Sequence, residues 1–359
     1  MRRQCLRVWG AGQVFFIAAR RFTEIRLRLS AKKWVKSEIT ILLWSKKVER
    51  VHGMTVFYIV IQQIVNGLIL GSFYSLIALG YSMVYGIIKL LNFAHGDIYM
   101  VGAFVGYGAL GILGSRLGIG WLGIAAALLI SMFLVGLLGM LVHRLAYQPL
   151  INKRAPRMSL LITAVGVSFT LFNGVMVLTN GEYRTFNTDL GYEGISLGLV
   201  NITYTQIIMV VATGILMLTL YWFINRTLYG KAMRAIALDQ DACRLMGINV
   251  TKTIGLTFFV GSALAAAAGV MAGVYYGSIQ FYMGFVIGLK AFTAAVIGGI
   301  GSIPGAMIGG LILGLLETAG TQLPFIGSAW KDVFSFGILI LLLVFKPTGI
   351  FGKSEIERM

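Results

Sequence analysis

The chain has 359 residues, of which 58% are hydrophobic and only 12% charged, with a mean hydropathy of +0.85. Soluble domains carry about 25% charged residues, so this composition excludes an ordinary soluble enzyme and a disordered scaffold. The 2 Cys residues, Cys5 and Cys243, are far apart and lie in basic segments. They predict unpaired thiols on the reducing side of a membrane and exclude a disulfide-stapled secreted domain.

The net charge of +17 is concentrated at the N-terminus and in short loops. Residues 1–53 carry 13 Lys and Arg against 3 Asp and Glu, and the remaining basic residues lie mostly between apolar runs. This distribution is typical of inside-positive membrane topology. No basic stripe with interleaved aromatic residues occurs in the body of the chain, so nucleic acid is not an expected partner.

The basic N-terminal extension, residues 1–53, conflicts with the topology of the rest. A single crossing by the first apolar run would leave this extension outside, against the charge rule. We therefore predict that Met54 is the initiator and that residues 1–53 do not belong to the mature protein. The alternatives are a basic arm lying on anionic lipid and a first run broken into extra half-spans.

Residues 54–352 form the predicted transmembrane domain, followed by a tail at 353–359. Long uncharged runs predict spanning helices, whereas a β-barrel would need short alternating segments. With about 20 residues per span, the prediction is an all-α polytopic membrane protein of about eight transmembrane helices, some of them short and broken by Gly and Pro. The runs are Val56–Ile88, Ile98–Ser115, Trp121–Val142, Met158–Thr179, Ile202–Ile224, Ile254–Gly288, Ala291–Leu316 and Val333–Phe345.

The loops between these runs predict the orientation. His143–Arg157 and Asn225–Thr253 are rich in Lys and Arg, so they are expected in the cytoplasm. Asn180–Asn201 holds Arg184 among three acidic residues and is expected outside. The basic C-terminal tail is likewise expected to be cytoplasmic.

A Gly- and Pro-rich break, Gly298–Gly305, interrupts the seventh region of apolar sequence. The pieces on either side, about 16 and 13 residues, are short for a hydrocarbon core of about 30 Å. Such segments mark the substrate pathway in transporters, and a tight helical hairpin is the alternative. We assign Gly301 and Pro304 to the path or its hinges. The sequence GLILG occurs twice, at Gly67–Gly71 and Gly310–Gly314.

Three polar residues, Asn92, His95 and Asp97, stand together between two apolar runs. They predict either a pore-lining or hinge element, or an interfacial turn in which Asp97 caps the following helix. We include all three among the candidate residues of the translocation path.

Lys290 and Asn66 are the other candidate path residues. Lys290 near the start of a short half-span either snorkels to the interface or faces an aqueous cavity and an anionic substrate group. Asn66 shares a helix face with Gln62, which suits interhelical hydrogen bonds or a path lining. Glu317, at the end of the other half-span, is expected at the interface.

The longest basic loop contains an Ala-rich stretch, Gly230–Ile248, that is bounded by Gly at both ends. It predicts one or two short helices, which either dock into a groove of a partner or remain solvated. The Gly247–Thr253 segment lacks the second Gly of a phosphate-binding loop, and the His and Cys residues lack metal-ligand spacing. The chain is therefore not expected to be an enzyme or to bind a cofactor itself.

The pattern G-x-A-x-R-A-x-A…A…G-I in this stretch resembles the loop through which ABC importer permeases couple to their ATPase subunits. More widely, the chain resembles the branched-chain amino-acid ABC transporter permease family, in its LivH-type half. The resemblance covers essentially Met54 to Gly352, and residues 1–53 have no recognised counterpart. The matching segments are Asn66–Gly71, Ala78–Gly86, Asn92–Asp97, Gly230–Ile248, Lys290–Gly305, which is the most specific, and Lys346–Gly349.

The resemblance implies a permease of the bacterial inner membrane that works with other subunits. These are a second, related permease chain, two cytoplasmic ATP-binding subunits and a periplasmic solute-binding protein. Leucine, isoleucine and valine are the expected solutes, with urea or short amides as the alternative within the family. An ion-coupled secondary transporter is the rival from another class, which would favour acidic or His relays within spans.

The implied mechanism is alternating access, in which closure of the ATPase dimer pulls on Gly230–Ile248 and the spans rock around a central path. Within the loop at 225–253, polar contacts with the ATPase are expected of Arg234, Asp239 and Arg244. The small residues Ala235 and Ala242 are expected to let the ATPase approach closely. The predicted coupling residues are Gly230, Arg234, Ala235, Asp239, Ala242, Arg244 and Gly247.

Overall fold

The uncharged runs of the sequence fold as helices. The computed structural model describes residues 57–117, 120–153, 155–186, 188, 193–197, 200–322, 330–346 and 348–352. The N-terminal extension, the Met54 start and the tail at 353–359 lie outside the described residues.

Among the described residues, seven helices are long and apolar enough to cross a membrane, and Met283–Gly298 is a shorter apolar helix. The prediction of about eight transmembrane helices is therefore confirmed. We number the helices in chain order. They are α1 Phe57–Ile88, α2 His95–Leu117, α3 Trp121–Val142, α4 Gln148–Asn152, α5 Arg157–Thr179, α6 Tyr204–Arg226, α7 Leu228–Leu238, α8 Gln240–Leu245, α9 Val250–Tyr276, α10 Met283–Gly298, α11 Ile303–Gly320 and α12 Lys331–Phe345.

Three features differ from the sequence prediction. The run Ile254–Gly288 divides after Tyr276, and because α10 begins at Met283, Lys290 lies in the middle of that helix rather than near the start of a half-span. The first run is one continuous helix of 32 residues, so the alternative of extra half-spans is wrong for the part of this run that the structure describes. The third run does not end at Val142, because a π-helical turn at His143–Tyr147 joins α3 to α4. A π turn inserts one residue into the helical repeat without breaking it, which apolar periodicity does not reveal.

Short strands gather at one end of the helices, which we call the strand end. There β1 (Arg184–Thr185) pairs antiparallel with β4 (Ser278–Ile279), in the register Arg184↔Ile279. Next to α6, β2 (Gly194–Leu197) pairs antiparallel with β3 (Val200–Thr203). The α5–α6 and α9–α10 connections therefore meet at the same end.

The opposite end carries α7 and α8, and we call it the α7–α8 end. Gln240 of α8 reaches the carbonyl of Ile87, at the last turn of α1. The backbone amides of Ile350 and Phe351 donate to the carbonyls of Ile297 and Gly298, at 2.9 and 3.1 Å. Gly301, in the α10–α11 turn, approaches Gly86 of α1. Three segments thus share the α7–α8 end: the longest basic loop, the α10–α11 turn and the segment after α12. An even number of membrane crossings separates each of these segments from the next, as expected for segments on the same side.

Small residues let the central helices approach closely. A Cβ on Gly102 of α2 would collide with Ala266 of α9, so only Gly fits there. The two GLILG copies pack against each other, because Gly314 of α11 approaches the backbone of Gly71 of α1. These contacts hold α1, α2, α9 and α11 together, whereas α5 and α6 expose many of their large apolar side chains.

The break in the α10–α11 region is a tight turn. Gly299 and Gly301 have φ angles of 101° and 88°, values that favour glycine. Ser302 caps α11 by accepting a hydrogen bond from the backbone amide of Gly305 at 3.2 Å, and Pro304 stands in its first turn. The geometry is that of the helical hairpin alternative, in which α10 and α11 run antiparallel.

Candidate functional site

A buried ionic cluster joins three helices. The ammonium nitrogen Nζ of Lys290, on α10, lies 2.8 Å from Oε1 of Glu317 on α11. It also lies 2.6 Å from Oδ1 of Asp332, in the first turn of α12. The Tyr74 hydroxyl of α1 donates a hydrogen bond to Oε2 of Glu317 at 2.9 Å. The three charged side chains come from α10, α11 and α12, and the Tyr74 hydroxyl adds a fourth helix, α1, to the cluster.

The burial of this cluster is unequal. The side chains of Lys290 and Glu317 are only 4% and 3% exposed, whereas that of Asp332 is 45% exposed. A buried charge is strongly destabilising unless it is paired and hydrogen-bonded, and Lys290 and Glu317 satisfy each other. Lys290 is therefore enclosed by protein and paired with Glu317 rather than extended toward water. The sequence could not show that the two helices bring opposite charges together.

The cluster lines a cavity of about 480 Å³ that reaches the strand end, where Ser278 of β4 forms part of its wall. The polar side of the cavity holds the cluster together with the hydroxyl-bearing rings of Tyr99 and Tyr276. The apolar side consists of Leu70, Met283, Val286 and Ile287. A cavity with apolar walls and a few convergent charged groups is the usual form of a small-molecule site. Of the predicted path residues, Lys290 is the one that this cavity contains.

The polar side chains of Asn92, His95 and Asp97, just before and at the start of α2, are buried. Oδ1 of Asn92 accepts hydrogen bonds from the Tyr147 hydroxyl, at 2.9 Å, and from the backbone amide of Ala94, at 3.2 Å. His95 packs edge-on against Tyr81 of α1, with 4.8 Å between ring centroids. Asn92 therefore ties this segment to the π turn, and Asp97 stands in the first turn of α2.

Asp97 lines a second cavity of about 310 Å³, between α2, α5 and α10. Its carboxylate accepts a hydrogen bond from the Ser168 hydroxyl of α5. The remaining lining is mainly aromatic and aliphatic, including Phe169 and Phe285. Tyr282, just before α10, lines both cavities. The second cavity could accept an apolar group with one polar end.

Helices α7 and α8 form an anchored surface at the α7–α8 end. Met233, Ile236 and Cys243 are buried and hold the two helices against the domain. Leu238 and Leu245 point away and are almost fully exposed. Large apolar side chains exposed on a polar loop are typical of a docking surface. Of the two sequence alternatives, this exposure favours a docked loop.

The predicted coupling residues mostly shape this surface. Nη1 of Arg234 donates to the Ile224 carbonyl and to Oδ1 of Asn225, both at 2.8 Å, so Arg234 closes the end of α6. Asp239 caps α8 by accepting from the backbone amides of Asp241 and Ala242, at 2.8 and 3.0 Å.

The other coupling candidates divide into tight and open positions. A Cβ on Gly230 would collide with the backbone of Ile224, whereas Gly247 has a φ angle of 81° and open space around it. Arg244 forms an exposed ion pair with Asp241 at 3.7 Å. Ala235 is partly buried and Ala242 is exposed.

The predicted path residues do not form one site. Lys290 and Asp97 line different cavities. Gly301 and Pro304 stand at the α7–α8 end. Asn66 accepts a hydrogen bond from Gln62 at 3.3 Å, in the half of α1 nearer the strand end.

Sequence reasoning missed Asp332 and Tyr74 and set Glu317 aside. Glu317 and Asp332 each stand at one end of an apolar run, where an interfacial position is the ordinary expectation. The available signal was chemical: a lysine within a short apolar helix needs an acidic partner, and Glu317 and Asp332 are the next acidic residues along the chain. Tyr74 carried no signal, since aromatic residues are common in apolar helices.

Comparison with known proteins gives a consistent result. Residues 63–343 match the family described as the permease component of branched-chain amino acid transport systems. The high-affinity branched-chain amino acid transport system permease protein BraD of Pseudomonas aeruginosa is 44% identical over 312 residues, which cover 85% of this chain and 100% of BraD. LivH of Escherichia coli K12, with the same description, is 43% identical over 316 residues, covering 84% of this chain and 99% of LivH. LivH of Salmonella typhimurium is 44% identical over 310 residues, with the same coverage.

Proposed function

The chain belongs to the family of permease components of branched-chain amino acid transport systems, and we propose that it forms the translocation path of an ATP-driven importer for leucine, isoleucine and valine. The resemblance stated from the sequence is confirmed by the match over residues 63–343. The identity of about two residues in five to BraD and LivH, over nearly their whole length, supports the same solute class. Urea or short amides remain the alternative solutes.

The observation that carries the proposal is the anchored pair of helices α7 and α8, which presents exposed Leu238 and Leu245 at one end of the membrane helices. We assign this surface to the cytoplasmic ATP-binding subunits. A short helix pair fixed by its buried side chains can transmit both a push and a pull, because it cannot bend away from the load. Closure of the ATPase dimer would thereby move α6 and α9, which flank the pair.

The movement is alternating access. The path opens at the strand end to a loaded solute-binding protein and then at the α7–α8 end to the cytoplasm. The α10–α11 hairpin is suited to this motion, since Gly299 and Gly301 give its turn conformational freedom. In this assignment Asn92, held by the Tyr147 hydroxyl, is the hinge at which α2, carrying His95 and Asp97, moves relative to α5.

The assembly we propose contains this chain, a second related permease chain, two ATP-binding subunits and a periplasmic solute-binding protein. The chain is a multi-pass protein of the bacterial inner membrane, and its C-terminal segment lies in the cytoplasm with α7 and α8. Hydrolysis of ATP belongs to the partner subunits, so this chain requires no catalytic residue and no cofactor of its own.

Uptake of radiolabelled leucine by cells that express the complete system tests this proposal. We expect unlabelled isoleucine and valine to compete, urea and acetamide not to compete, and deletion of the ATP-binding subunits to abolish uptake. Competition by urea at concentrations where isoleucine has no effect would replace the amino acid assignment by the amide one.

A further inference from the structure

We propose that Lys290 and Glu317 bind the charged ends of an amino acid zwitterion, and that Asp332 competes with the substrate carboxylate for Lys290. This inference rests on the proposed function and deepens it, because it names the site in this chain that recognises the cargo. It also specifies which chemical groups of the cargo are recognised.

The first step is the arrangement of opposite charges. Lys290 and Glu317 lie side by side, 2.8 Å apart, on the wall of the cavity of about 480 Å³. An amino acid carries a carboxylate and an ammonium group on one carbon, so it can align antiparallel with this pair. The carboxylate would then contact Lys290 and the ammonium group would contact Glu317, with each charge meeting its opposite.

The second step is the apolar wall. Leu70, Met283, Val286 and Ile287 line the same cavity as the charged pair. An aliphatic side chain projecting from the zwitterion would lie against these residues and bury apolar surface. The apolar wall therefore favours the aliphatic side chains of leucine, isoleucine and valine over charged or strongly polar ones, while the charged pair binds the two ionised groups that all amino acids share.

The third step concerns Asp332. Its Oδ1 atom lies 2.6 Å from Nζ of Lys290 without the alignment of a hydrogen bond, and its side chain is 45% exposed. Because the buried Oδ1 atom makes no hydrogen bond, a carboxylate so placed gives up an ion pair but no hydrogen bond at Oδ1 when it turns toward water. Glu317 differs, because it is buried and held by the Tyr74 hydroxyl. A substrate carboxylate is the same chemical group as that of Asp332 and can take its place.

The consequence is selectivity for zwitterions. Urea and short amides carry no ionised groups, so they supply neither a carboxylate to replace that of Asp332 nor an ammonium group to pair with Glu317. Displacement of Asp332 from Lys290 also removes an ion pair between the first turn of α12 and α10. Because the cavity reaches the strand end, binding of the substrate would in this way change the contacts between helices at that end of the path.

The test is equilibrium binding of radiolabelled leucine to the purified permease and ATPase complex, prepared without the solute-binding protein. Lys290→Met is expected to weaken binding by about 10- to 100-fold, the value of a hydrogen bond to a charged group. Asp332→Asn is expected to tighten binding by about 3- to 5-fold, because it removes the competing charge. Lys252→Met, an exposed lysine in the first turn of α9, is the matched control and should bind leucine as the unmodified complex does.

Two analogues identify which charge is recognised. In the unmodified complex, L-leucinamide, which lacks the carboxylate, and 4-methylpentanoate, which lacks the ammonium group, should both compete poorly with leucine. In Lys290→Met the advantage of leucine over leucinamide should fall sharply, with Lys331 as a second ammonium group lining the cavity, while its advantage over 4-methylpentanoate should persist.

A structural ion cluster would give a different result. Unchanged leucine binding in Lys290→Met, or weakened binding in Asp332→Asn, would overturn the inference. If Lys290→Met does not assemble, Asp332→Asn decides, since its side chain is half-exposed. ATP-driven leucine uptake by a complex that binds no leucine here would refute this site and leave the proposed function intact, whereas absence of leucine uptake would refute the proposed function.

Discussion

Leu245, at the end of α8, offers the sharpest test of the docking surface. Its side chain is 90% exposed, so Leu245→Ala removes no packing contact within the chain. The stability of the isolated permease should therefore change by less than about 0.5 kcal/mol. If an ATP-binding subunit covers the residue, the variant loses three buried carbons, or about 2.4 kcal/mol at about 0.8 kcal/mol each. That loss corresponds to a dissociation constant about 60-fold higher.

The assay is titration of detergent-solubilised permease, containing both permease chains, with the purified ATP-binding subunits. Thermal unfolding of the permease is measured in parallel, so that binding and stability are separated. Leu178→Ala is the matched control, because Leu178 is 84% exposed but lies at the end of α5 nearest the strands. Equal affinity of the Leu245 and Leu178 variants for the ATP-binding subunits would refute the assignment of α7 and α8 as the docking surface.

Two further changes test the packing and the coupling. Gly102→Leu should lower the melting temperature and the yield of folded protein, because any side chain there collides with α9, whereas Gly108→Leu, which has open space around it, should not; equal melting temperatures would contradict the close approach of α2 and α9. Arg234→Glu removes a donor that closes the end of α6 and should uncouple leucine uptake from ATP hydrolysis while the complex remains inserted. Unchanged uptake per ATP hydrolysed in that variant would count against a coupling role for Arg234.

Much of the fold could be predicted from the sequence because a membrane-spanning helix has a local signature, a long run of apolar residues without charge. A run such as Val56–Ile88 must satisfy its backbone hydrogen bonds internally, so length and absence of charge suffice to predict a helix. The same reasoning located the break at Gly298–Gly305. It did not reveal the π turn at His143–Tyr147, which depends on one inserted residue rather than on composition.

The site was less predictable because its charges meet across helices. Lys290 was identified as a candidate from its position in a short helix, but its partner Glu317 is 27 residues away and stands at the far end of the next helix. Only the antiparallel packing of α10 and α11 brings them together. Asp332 adds a third helix, and no local pattern in the sequence connects it with the other two.

For the stretch Gly230–Ile248, the helices were easier to predict than the contacts of single residues. Its residue pattern predicted a helical docking element, and the structure places α7 and α8 in that loop. The roles of single residues were harder to predict, since Arg234 turns back to bond the end of α6. A charged side chain in a loop helix has no sequence feature that separates an internal partner from an external one.

The energy source of transport is the central claim, and reconstitution into liposomes tests it most directly. The account predicts that the complete complex accumulates leucine only when ATP is supplied on the side of α7 and α8 and the loaded binding protein is on the other. It also predicts that this chain alone accumulates none under a proton or sodium gradient. Concentrative leucine uptake by the chain alone, driven by either gradient, would contradict the account.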